Sequence, residues 1–238
     1  MKKKTIIVTG ALGQDGQILT KILLSKGYRV FGIVNNYKNT KIKKNIHKKI
    51  DLSNYNKTKL FIKKINPSHI IHFGSKNPSF NEHINYYKNN YLSTKNIIDS
   101  IIEINDKIIF IFASSSLIFR KKKGIVTEKD KFKITSPYTR FRIKIFNYML
   151  FLKEKKNFLF CNLILFNHDS AYRKETFLIP RLISMVKKGD FASLEKIYKE
   201  NIIRDFSHAE DICYAIYLVI KKKICIKSLI PSSGGGQR

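Results

Sequence analysis

Cysteine is scarce in this chain, which has three among 238 residues. Their number is odd, and Cys161, Cys213 and Cys225 form no Cys-x-x-Cys pair, so the sequence encodes neither a disulfide framework nor a zinc knuckle. Long hydrophobic runs are also missing, because stretches such as 108–113 and 214–220 fall far short of the ~18 apolar residues that a membrane span requires. These absences predict a soluble protein of the reducing cytoplasm.

Acidic residues are few as well, with 17 Asp and Glu against 46 Lys and Arg, which gives a formal net charge of +29. The lysines recur in short runs at the ends of predicted elements, such as Lys2–Lys4, Lys121–Lys123 and Lys221–Lys223. This distribution, together with the many Ile and Asn residues, favours a solvated surface and the composition of an AT-rich genome over nucleic-acid binding. A basic nucleic-acid binder remains an alternative, and attraction of an acidic small substrate is compatible with both.

Hydrophobic residues make up 43% of the chain and charged residues 26%, a globular composition without a Pro/Gly/Ser-rich linker. Apolar runs alternate with helical patterns, which is typical of βαβ units and predicts an α/β fold, a Rossmann-like doubly wound parallel sheet. Strands are expected near Thr5–Thr9, Arg29–Val34, Ile46–Ile50, His69–Phe73, Lys107–Ala113, Phe158–Leu165 and Lys227–Ile230. Helices are expected near Gln14–Lys26, Asn56–Lys64, Phe80–Ile104, Pro137–Glu154, Thr176–Lys188 and His208–Lys222.

A glycine loop lies directly between the first strand and the first helix, with Gly10, Gly13 and Gly16 at three-residue intervals. Small residues here permit a tight turn and close approach of the backbone to a pyrophosphate, which the helix N-terminus attracts. The alternative, that the glycines only form a turn, is disfavoured by the strand–loop–helix context. The predicted cofactor contacts of this loop are Gly10, Leu12, Gly13, Gln14, Asp15 and Gly16.

The end of the second strand lacks the Asp or Glu that would hold the ribose diol of NAD. Asn35 and Asn36 stand there, with Lys38 and Lys41 nearby, and these donors favour the 2′-phosphate of NADP over NAD. Asp51, after the third strand, is placed to accept a hydrogen bond from the adenine amino group. It fits a helix N-cap or turn role equally well.

Several further segments match a known pattern, and they extend over almost the whole chain. They are Thr9–Gly16, Asp51-Leu52, His72–Ser75, Ala113–Ser116, Ser136–Tyr138, Leu165–Ser170 and Arg204–Asp211. In these segments the chain resembles the extended short-chain dehydrogenase/reductases and, among them, the GDP-mannose 4,6-dehydratase family. The resemblance implies bound NAD(P) at the carboxyl ends of the strands, a nucleotide-sugar substrate, most simply GDP-linked, and a homodimer.

The resemblance also assigns roles to single residues. Tyr138 would exchange a proton with the C4 hydroxyl of the sugar during hydride transfer, and Ser115 would hydrogen-bond the same oxygen. Leu52 and Gly74 would contact the cofactor. Asn167 and Arg204 would hold the nucleotide sugar, because a guanidinium binds a diphosphate through two charge-assisted hydrogen bonds.

Two positions depart from the family pattern. Arg142 replaces the lysine that lowers the pKa of the tyrosine, and its planar fork has a different shape from an ammonium group. Leu117 replaces the glutamate that would remove the C5 proton during dehydration. A 4-keto reductase or epimerase, which needs no such glutamate, and a catalytically impaired dinucleotide-binding homologue therefore stay open as alternatives.

The domain expectation is a single NAD(P)-binding domain over 1–238, in which the segments after about 167 form an incomplete substrate lobe and 232–238 a flexible tail. His168 and His208 have no second metal ligand at a suitable spacing, so hydrogen-bonded structural roles are expected for them rather than metal binding.

Overall fold

The computed structural model describes residues 4–34, 45–75, 84–120, 124–199 and 205–232. Eight strands lie in these ranges: β1 (Thr5–Thr9), β2 (Arg29–Val34), β3 (His47–Lys49), β4 (His69–His72), β5 (Ile109–Ser115), β6 (Phe160–Leu165), β7 (Asn167–Asp169) and β8 (Phe206–His208). Seven α-helices accompany them there: α1 (Gln14–Ser25), α2 (Tyr55–Ile65), α3 (Ile84–Ile104), α4 (Pro137–Lys156), α5 (Leu178–Lys188), α6 (Phe191–Lys199) and α7 (Ala209–Lys222).

The central sheet has six parallel strands in the order β3-β2-β1-β4-β5-β6. Neighbouring strands pair in parallel, with Ile7 opposite Phe31 on one side and Ile70 on the other. The strand order reverses between β1 and β4, and in open α/β sheets a ligand binds at the carboxyl ends of the strands beside such a reversal. The predicted Rossmann-type fold is therefore confirmed.

Helices cover both faces of this sheet. Ile6 and Val8 of β1 pack into one core with α1 and α7, whereas Ile7 packs into the other core with side chains of α2, α3 and α4. Because successive side chains of a strand point to opposite faces, a strand that is covered twice is apolar at every position. This double coverage explains the continuous apolar runs of the sequence.

Some secondary-structure predictions were wrong. The segment Lys227–Ile230 forms no strand; Leu229 makes one isolated parallel bridge with Leu163 beside β6. The two-stranded parallel sheet β7–β8 was not predicted, because three-residue strands carry no readable period. The helix α6 was not predicted either. The start of the helix predicted at Phe80 and the tail from Ser233 onward lie outside the described residues.

None of the helices in the described ranges combines the length and the apolar character needed to cross a bilayer.

Candidate active site

A cleft of about 1130 Å³ opens at the carboxyl ends of the parallel strands. Every predicted site residue that the structure describes lines this cleft: Gly10, Leu12, Gly13, Gln14, Asp15, Gly16, Asp51, Leu52, Gly74, Ser115, Tyr138, Arg142 and Asn167. The remaining predicted contacts, Asn35, Asn36 and Arg204, lie outside the described residues. Tertiary structure thus brings together residues that are up to 157 positions apart, from Gly10 to Asn167.

The glycine loop fits closely against its neighbours. Gly10 has a φ of +66°, and a Cβ added to it would stand 2.9 Å from the carbonyl carbon of Phe73. A Cβ on Gly16 would stand 2.3 Å from the carbonyl oxygen of Gly10, so α1 starts in direct contact with the loop. Gly13 is the N-cap of α1 and provides no side-chain cap. The first-turn amides therefore remain uncapped by the N-cap residue, an arrangement that suits a pyrophosphate.

A buried hydrogen-bond chain supports the loop from below. The amide of Gly74 donates to Oγ1 of Thr9 at 3.0 Å, and Oγ1 of Thr94 donates to the carbonyl of Asn90 at 2.7 Å. Between the two hydroxyls lies His72, with Nδ1 2.7 Å from Thr9 Oγ1 and Nε2 2.9 Å from Thr94 Oγ1. Because the Thr94 hydroxyl already donates elsewhere, it must accept from Nε2–H, and Nδ1 accepts from Thr9.

The His72 ring is therefore neutral with its proton on Nε2. Burial, helped by the positive charge of Arg142, lowers the pKa of His72 to about 3. This neutral imidazole ties the end of β1 to β4 and α3 without adding charge under the cleft.

Asp51 adopts the turn role that the sequence left open. Its Oδ1 accepts hydrogen bonds from the Ser53 amide at 3.0 Å and the Ser53 hydroxyl at 2.6 Å. These hydrogen bonds, from the hydroxyl first and the amide second, hold the pKa of the carboxyl below its usual value. The N-cap of α2 is Asn54, not Asp51. The carboxylate borders the cleft, and contact with adenine stays a prediction.

The opposite side of the cleft begins at the end of β5. The Oγ of Ser115 accepts from the amide of Leu117 at 3.3 Å and opens a short 3₁₀ turn over Ser116–Ile118. The side chain of Leu117 is 56% exposed and lines the cleft. An apolar group thus stands where the family pattern has a carboxylate.

Tyr138 and Arg142 lie one turn apart at the start of α4. Ser136 caps this helix through the amide of Thr139 at 3.2 Å, and Pro137 occupies its first turn. Such a cap and an N-terminal proline define where the helix begins, which fixes the direction of the following side chains. Lys144, two residues beyond Arg142, is exposed and does not line the cleft.

The Arg142 guanidinium is buried with 3% exposure and stacks on Tyr138, its central carbon 3.9 Å from the ring centroid. Nη2 donates to Oγ of Ser75 at 3.2 Å, whereas Nε and Nη1 have no partner among the described residues. Burial lowers the pKa of Arg142, and the phenols of Tyr138 and Tyr87 oppose that shift. A buried cation with unused donors therefore forms part of the cleft wall.

A polar cluster that the sequence did not reveal connects α1 with β7. His168 Nε2 lies 2.9 Å from Oδ1 of Asp15, and the hydroxyl of Ser170 donates to Oε1 of Gln14 at 3.1 Å. His168 is hydrogen-bonded, as expected for a structural role. Its partner could not be found from the sequence, because 153 positions separate the two residues.

Cations on the cleft rim were also missed. Arg173 and Lys174 line the cleft, and the Arg173 guanidinium carbon lies 4.0 Å from the ring centroid of Phe177. Because lysine and arginine are frequent throughout the chain, positive charge alone does not distinguish Arg173 and Lys174 in the sequence. Among the described residues, no group of three or more His, Cys, Asp and Glu side chains is placed to hold a metal ion.

Fold and site together define the class: a Rossmann-type protein whose glycine loop, Ser115 and Tyr138 line one cleft at the carboxyl ends of its parallel strands. The family described as GDP-mannose 4,6 dehydratase matches residues 7–229. The chain belongs to this family, and the resemblance noted in the sequence is confirmed.

Curated relatives carry the same family name. The chain is 28% identical to GDP-mannose 4,6 dehydratase of Dictyostelium discoideum, over 93% of this chain and 69% of the relative. It is 26% identical to GDP-mannose 4,6 dehydratase 2 of Caenorhabditis elegans, over 93% of this chain and 64% of the relative. The chain thus spans about two thirds of the length of these relatives.

Solved structures confirm the fold. The UDP-N-acetylglucosamine 4-epimerase of Methanobrevibacter ruminantium is similar with a TM-score of 0.83 at 22% identity, over 100% of this chain and 79% of the other. The dTDP-glucose 4,6-dehydratase of Bacillus anthracis, solved in complex with NAD, has a TM-score of 0.81 at 19% identity, over 98% of this chain and 77% of the other.

Proposed function

We propose that the protein binds NAD(P) and a GDP-linked nucleotide sugar and exchanges a hydride at C4 of the sugar. The observation that carries this proposal is that Ser115, Tyr138 and Arg142 line the same cleft as the glycine loop. Family membership and the names of the curated relatives support the GDP-linked substrate class.

The glycine loop would hold the cofactor through the first-turn amides of α1. The closeness of Gly10 and Gly16 to neighbouring backbone supports this, since any side chain there would displace the loop. Asp51, Leu52 and Gly74 border the same part of the cleft. When bound, the cofactor supplies the hydride acceptor or donor. For NADP over NAD, the support is the set of donors Asn35, Asn36, Lys38 and Lys41.

The protein's own residues would handle the proton. The phenolate oxygen of Tyr138 would take a proton from the C4 hydroxyl as hydride leaves, and the phenol would return that proton in the reverse direction. Ser115 would donate a hydrogen bond to the same oxygen and stabilise the charge that develops there. The guanidinium of Arg142, with its central carbon 3.9 Å from the centroid of the Tyr138 ring, would hold that side chain in position.

The nucleotide end of the substrate would lie beyond β6. Asn167 is exposed on the cleft there, with Arg173 and Lys174 on the rim. Arg204, by resemblance, would bind the diphosphate. A positive rim would attract a substrate that carries two phosphates.

Reduction or epimerisation is the second candidate. It is favoured over dehydration because, among the described residues that line the cleft, we assign no carboxylate as the base for the C5 proton. Among the described residues that line it, the acids are Asp15 and Asp51. Asp15 is bonded to His168 and Asp51 to Ser53, and both stand on the cofactor side. Because both carboxylates already accept these hydrogen bonds, we assign neither as the base for the C5 proton, and Leu117 has no group that could serve.

Mass spectrometry separates these possibilities. The protein would be incubated with NADP or NAD and a panel of GDP-, UDP- and dTDP-linked sugars, and the products examined for loss of water, stereochemical change or transfer of two hydrogens. Hydride exchange with a GDP-sugar supports the proposal, and product with loss of water identifies a dehydratase. Cofactor binding without any product, in a thermal-shift assay, would favour the catalytically impaired homologue instead.

A homodimer through α3 and α4 is also proposed. Large apolar side chains remain exposed on both helices, with Leu92 at 44% and Phe151 at 53%. Light scattering on the purified protein tests this, and a monomer at micromolar concentration would contradict it.

A further inference from the structure

Three hydrogen bonds that involve side chains join the first turn of α1 to the segment after β6, and a fourth links two side chains within that turn. Nε2 of His168 lies 2.9 Å from Oδ1 of Asp15, which also accepts from Nε2 of Gln14 at 3.0 Å. The same amide nitrogen donates to the carbonyl of His168 at 3.4 Å, and Ser170 donates to Oε1 of Gln14 at 3.1 Å. These contacts join a cofactor-loop element to a segment that borders the substrate side of the cleft.

The hydrogen-bond geometry defines the charge of this cluster. Nδ1 of His168 lies 2.8 Å from the carbonyl oxygen of Phe166, which can only accept, and Nε2 faces the carboxylate of Asp15. Both ring nitrogens therefore donate, which makes the ring an imidazolium opposite an ionised carboxylate. Both side chains are largely withdrawn from solvent, with 7% exposure for His168 and 17% for Asp15.

Burial opposes these charges, and the pairing outweighs it. For His168, burial acts to lower the pKa, but the hydrogen bond and charge of Asp15 raise it above its usual value. For Asp15, burial acts to raise the pKa, but the hydrogen bond and charge of His168 bring it below its usual value. Each residue thus holds the other in its ionised form.

Two further groups face the pair. The charge of Arg173, from the turn after β7, favours ionised Asp15 and opposes protonation of His168. Cys213 of α7 donates from its thiol to the carbonyl of Asp15 at 3.5 Å. Burial first, and then the charges of Asp15 and Glu210, raise the pKa of that thiol, so Cys213 stays neutral.

We propose that Asp15 and His168 form a positioning pair that fixes Asn167 on the cleft wall while the pair is ionised. Asn167 lies between Phe166, whose carbonyl oxygen is bound by the His168 ring, and His168 itself. The backbone of Asn167 also pairs with Phe206 of β8. This inference rests on the proposed function, because it takes Asn167 as a contact of the nucleotide sugar.

The pair has a defined pH window. The contribution of His168 is complete below the unfolded value of 6.5 and is lost as pH rises through its raised folded pKa. The contribution of Asp15 is present above the unfolded value of 3.8 and is lost as pH falls through its lowered folded pKa. Nucleotide-sugar binding should therefore weaken on the alkaline side.

Two variants of the pair test the inference in different ways. In His168→Phe the hydrogen bonds of the ring are lost at every pH. KM for GDP-mannose should therefore rise about tenfold, with a smaller change in kcat. A tenfold change lies within the range of interaction energies between contacting residues. In Asp15→Asn a neutral His168 still donates from Nδ1 to Phe166 and accepts at Nε2 from the new amide. The rise of KM at alkaline pH should then disappear, and this loss of pH dependence is the readout for the variant.

The control is His208→Asn, on the neighbouring strand. Nδ1 of His208 accepts from the amide of Glu210 at 3.3 Å as the N-cap of α7, and Asn also suits that position. This variant should keep the pH profile of the unmodified protein. The affinity for NADPH, measured by fluorescence, should change less than about twofold in His168→Phe, because the glycine-loop amides are unaltered.

NMR of the His168 ring gives a readout without substrate: its titration midpoint should lie above 6.5 in the unmodified protein and fall in Asp15→Asn. A flat pH profile of KM, an equal loss of NADPH and GDP-mannose affinity in His168→Phe, or an unchanged midpoint in Asp15→Asn would overturn the positioning pair alone. Failure of the unmodified protein to bind any GDP-sugar would overturn the proposed function and this inference together.

Discussion

The two walls of the cleft are specified in different ways. The proposed cofactor wall, which comprises 10–16 with Asp51 and Gly74, packs backbone against backbone at Gly10 and Gly16, where no side chain has room. The proposed catalytic wall, which comprises Ser115, Leu117, Tyr138 and Arg142, is built from side chains. Backbone packing tolerates little substitution, whereas a side-chain wall keeps its shape while its chemistry changes. The cofactor wall accordingly matches the family pattern, and the departures Arg142 and Leu117 lie on the catalytic wall.

The largest expected effect is on the catalytic wall. Tyr138→Phe should reduce hydride exchange by ~10²–10⁴-fold, the range for loss of a general acid–base group. Its ring contact with Tyr87 would remain. Steady-state kinetics with the best nucleotide sugar would measure this.

The matched control is Tyr148→Phe on the same helix. The Tyr148 hydroxyl donates to Asp99 at 2.6 Å and does not line the cleft, so activity should be unchanged. Equal loss in both variants would remove Tyr138 from the proposed mechanism.

On the cofactor wall, Gly16→Val should destabilise the fold by roughly 3 kcal/mol, because its Cβ would stand 2.3 Å from the Gly10 oxygen. The thermal shift by NADPH should disappear even where the variant stays folded at low temperature. Gly13→Val should also abolish that shift. Gly27→Ala, where φ is +80° but nothing lies within 4 Å, should cost about 1 kcal/mol and keep the shift. An unchanged shift in the Gly13 and Gly16 variants would mean that the loop is not the cofactor site.

The departures on the catalytic wall can be reversed. Arg142→Lys with Leu117→Glu should raise formation of 4-keto-6-deoxy product from GDP-mannose by up to ~10²-fold, since two acid–base functions are restored. Each single change should give less. If the double variant gains nothing while still binding cofactor, the defect lies elsewhere than in these two positions. Robust dehydration by the unmodified protein would show that another residue supplies the base.

The His72 hydrogen-bond chain, which ties β1 to β4 and α3 under the glycine loop, gives a pH prediction. The pKa of His72 falls from 6.5 to about 3 in the fold, so the unfolded chain binds a proton that the folded chain does not. Stability should fall as pH drops below 6.5, by roughly 1.4 kcal/mol per pH unit for this group. His69, with a pKa lowered to about 4 chiefly by burial, adds a similar slope. Urea unfolding at pH 7, 6 and 5 would show a shallower slope in His72→Asn, and an identical slope would contradict the neutral tautomer.

The smallest effect concerns the cofactor's 2′-phosphate. NADP should bind a few-fold more tightly than NAD at low salt, because Lys38 and Lys41 supply positive charge near Asn35 and Asn36. Screening should reduce the difference at high salt. Equal affinities at low salt would count against this assignment.

Sequence patterns determined the sheet, the glycine loop and the family. A doubly covered strand shows a continuous apolar run of five or six residues, and the loop shows its glycines within seven, so both can be recognised without knowledge of the fold. The motif around Tyr138 was equally local: Ser136, Pro137 and the tyrosine stand side by side. Because each of these features is defined by neighbours in the chain, each was predictable from it.

Only the tertiary structure decided the partners of the buried polar groups. The proton on Nε2 of His72 depends on Thr9 and Thr94, 63 and 22 positions away, and the charge of His168 depends on Asp15, 153 positions away. The stacking of Arg142 on Tyr138 likewise follows from burial between α4 and the loop after β4. A side chain's protonation and donor use are set by what stands within about 3 Å of it, and nothing local in the chain records that distance.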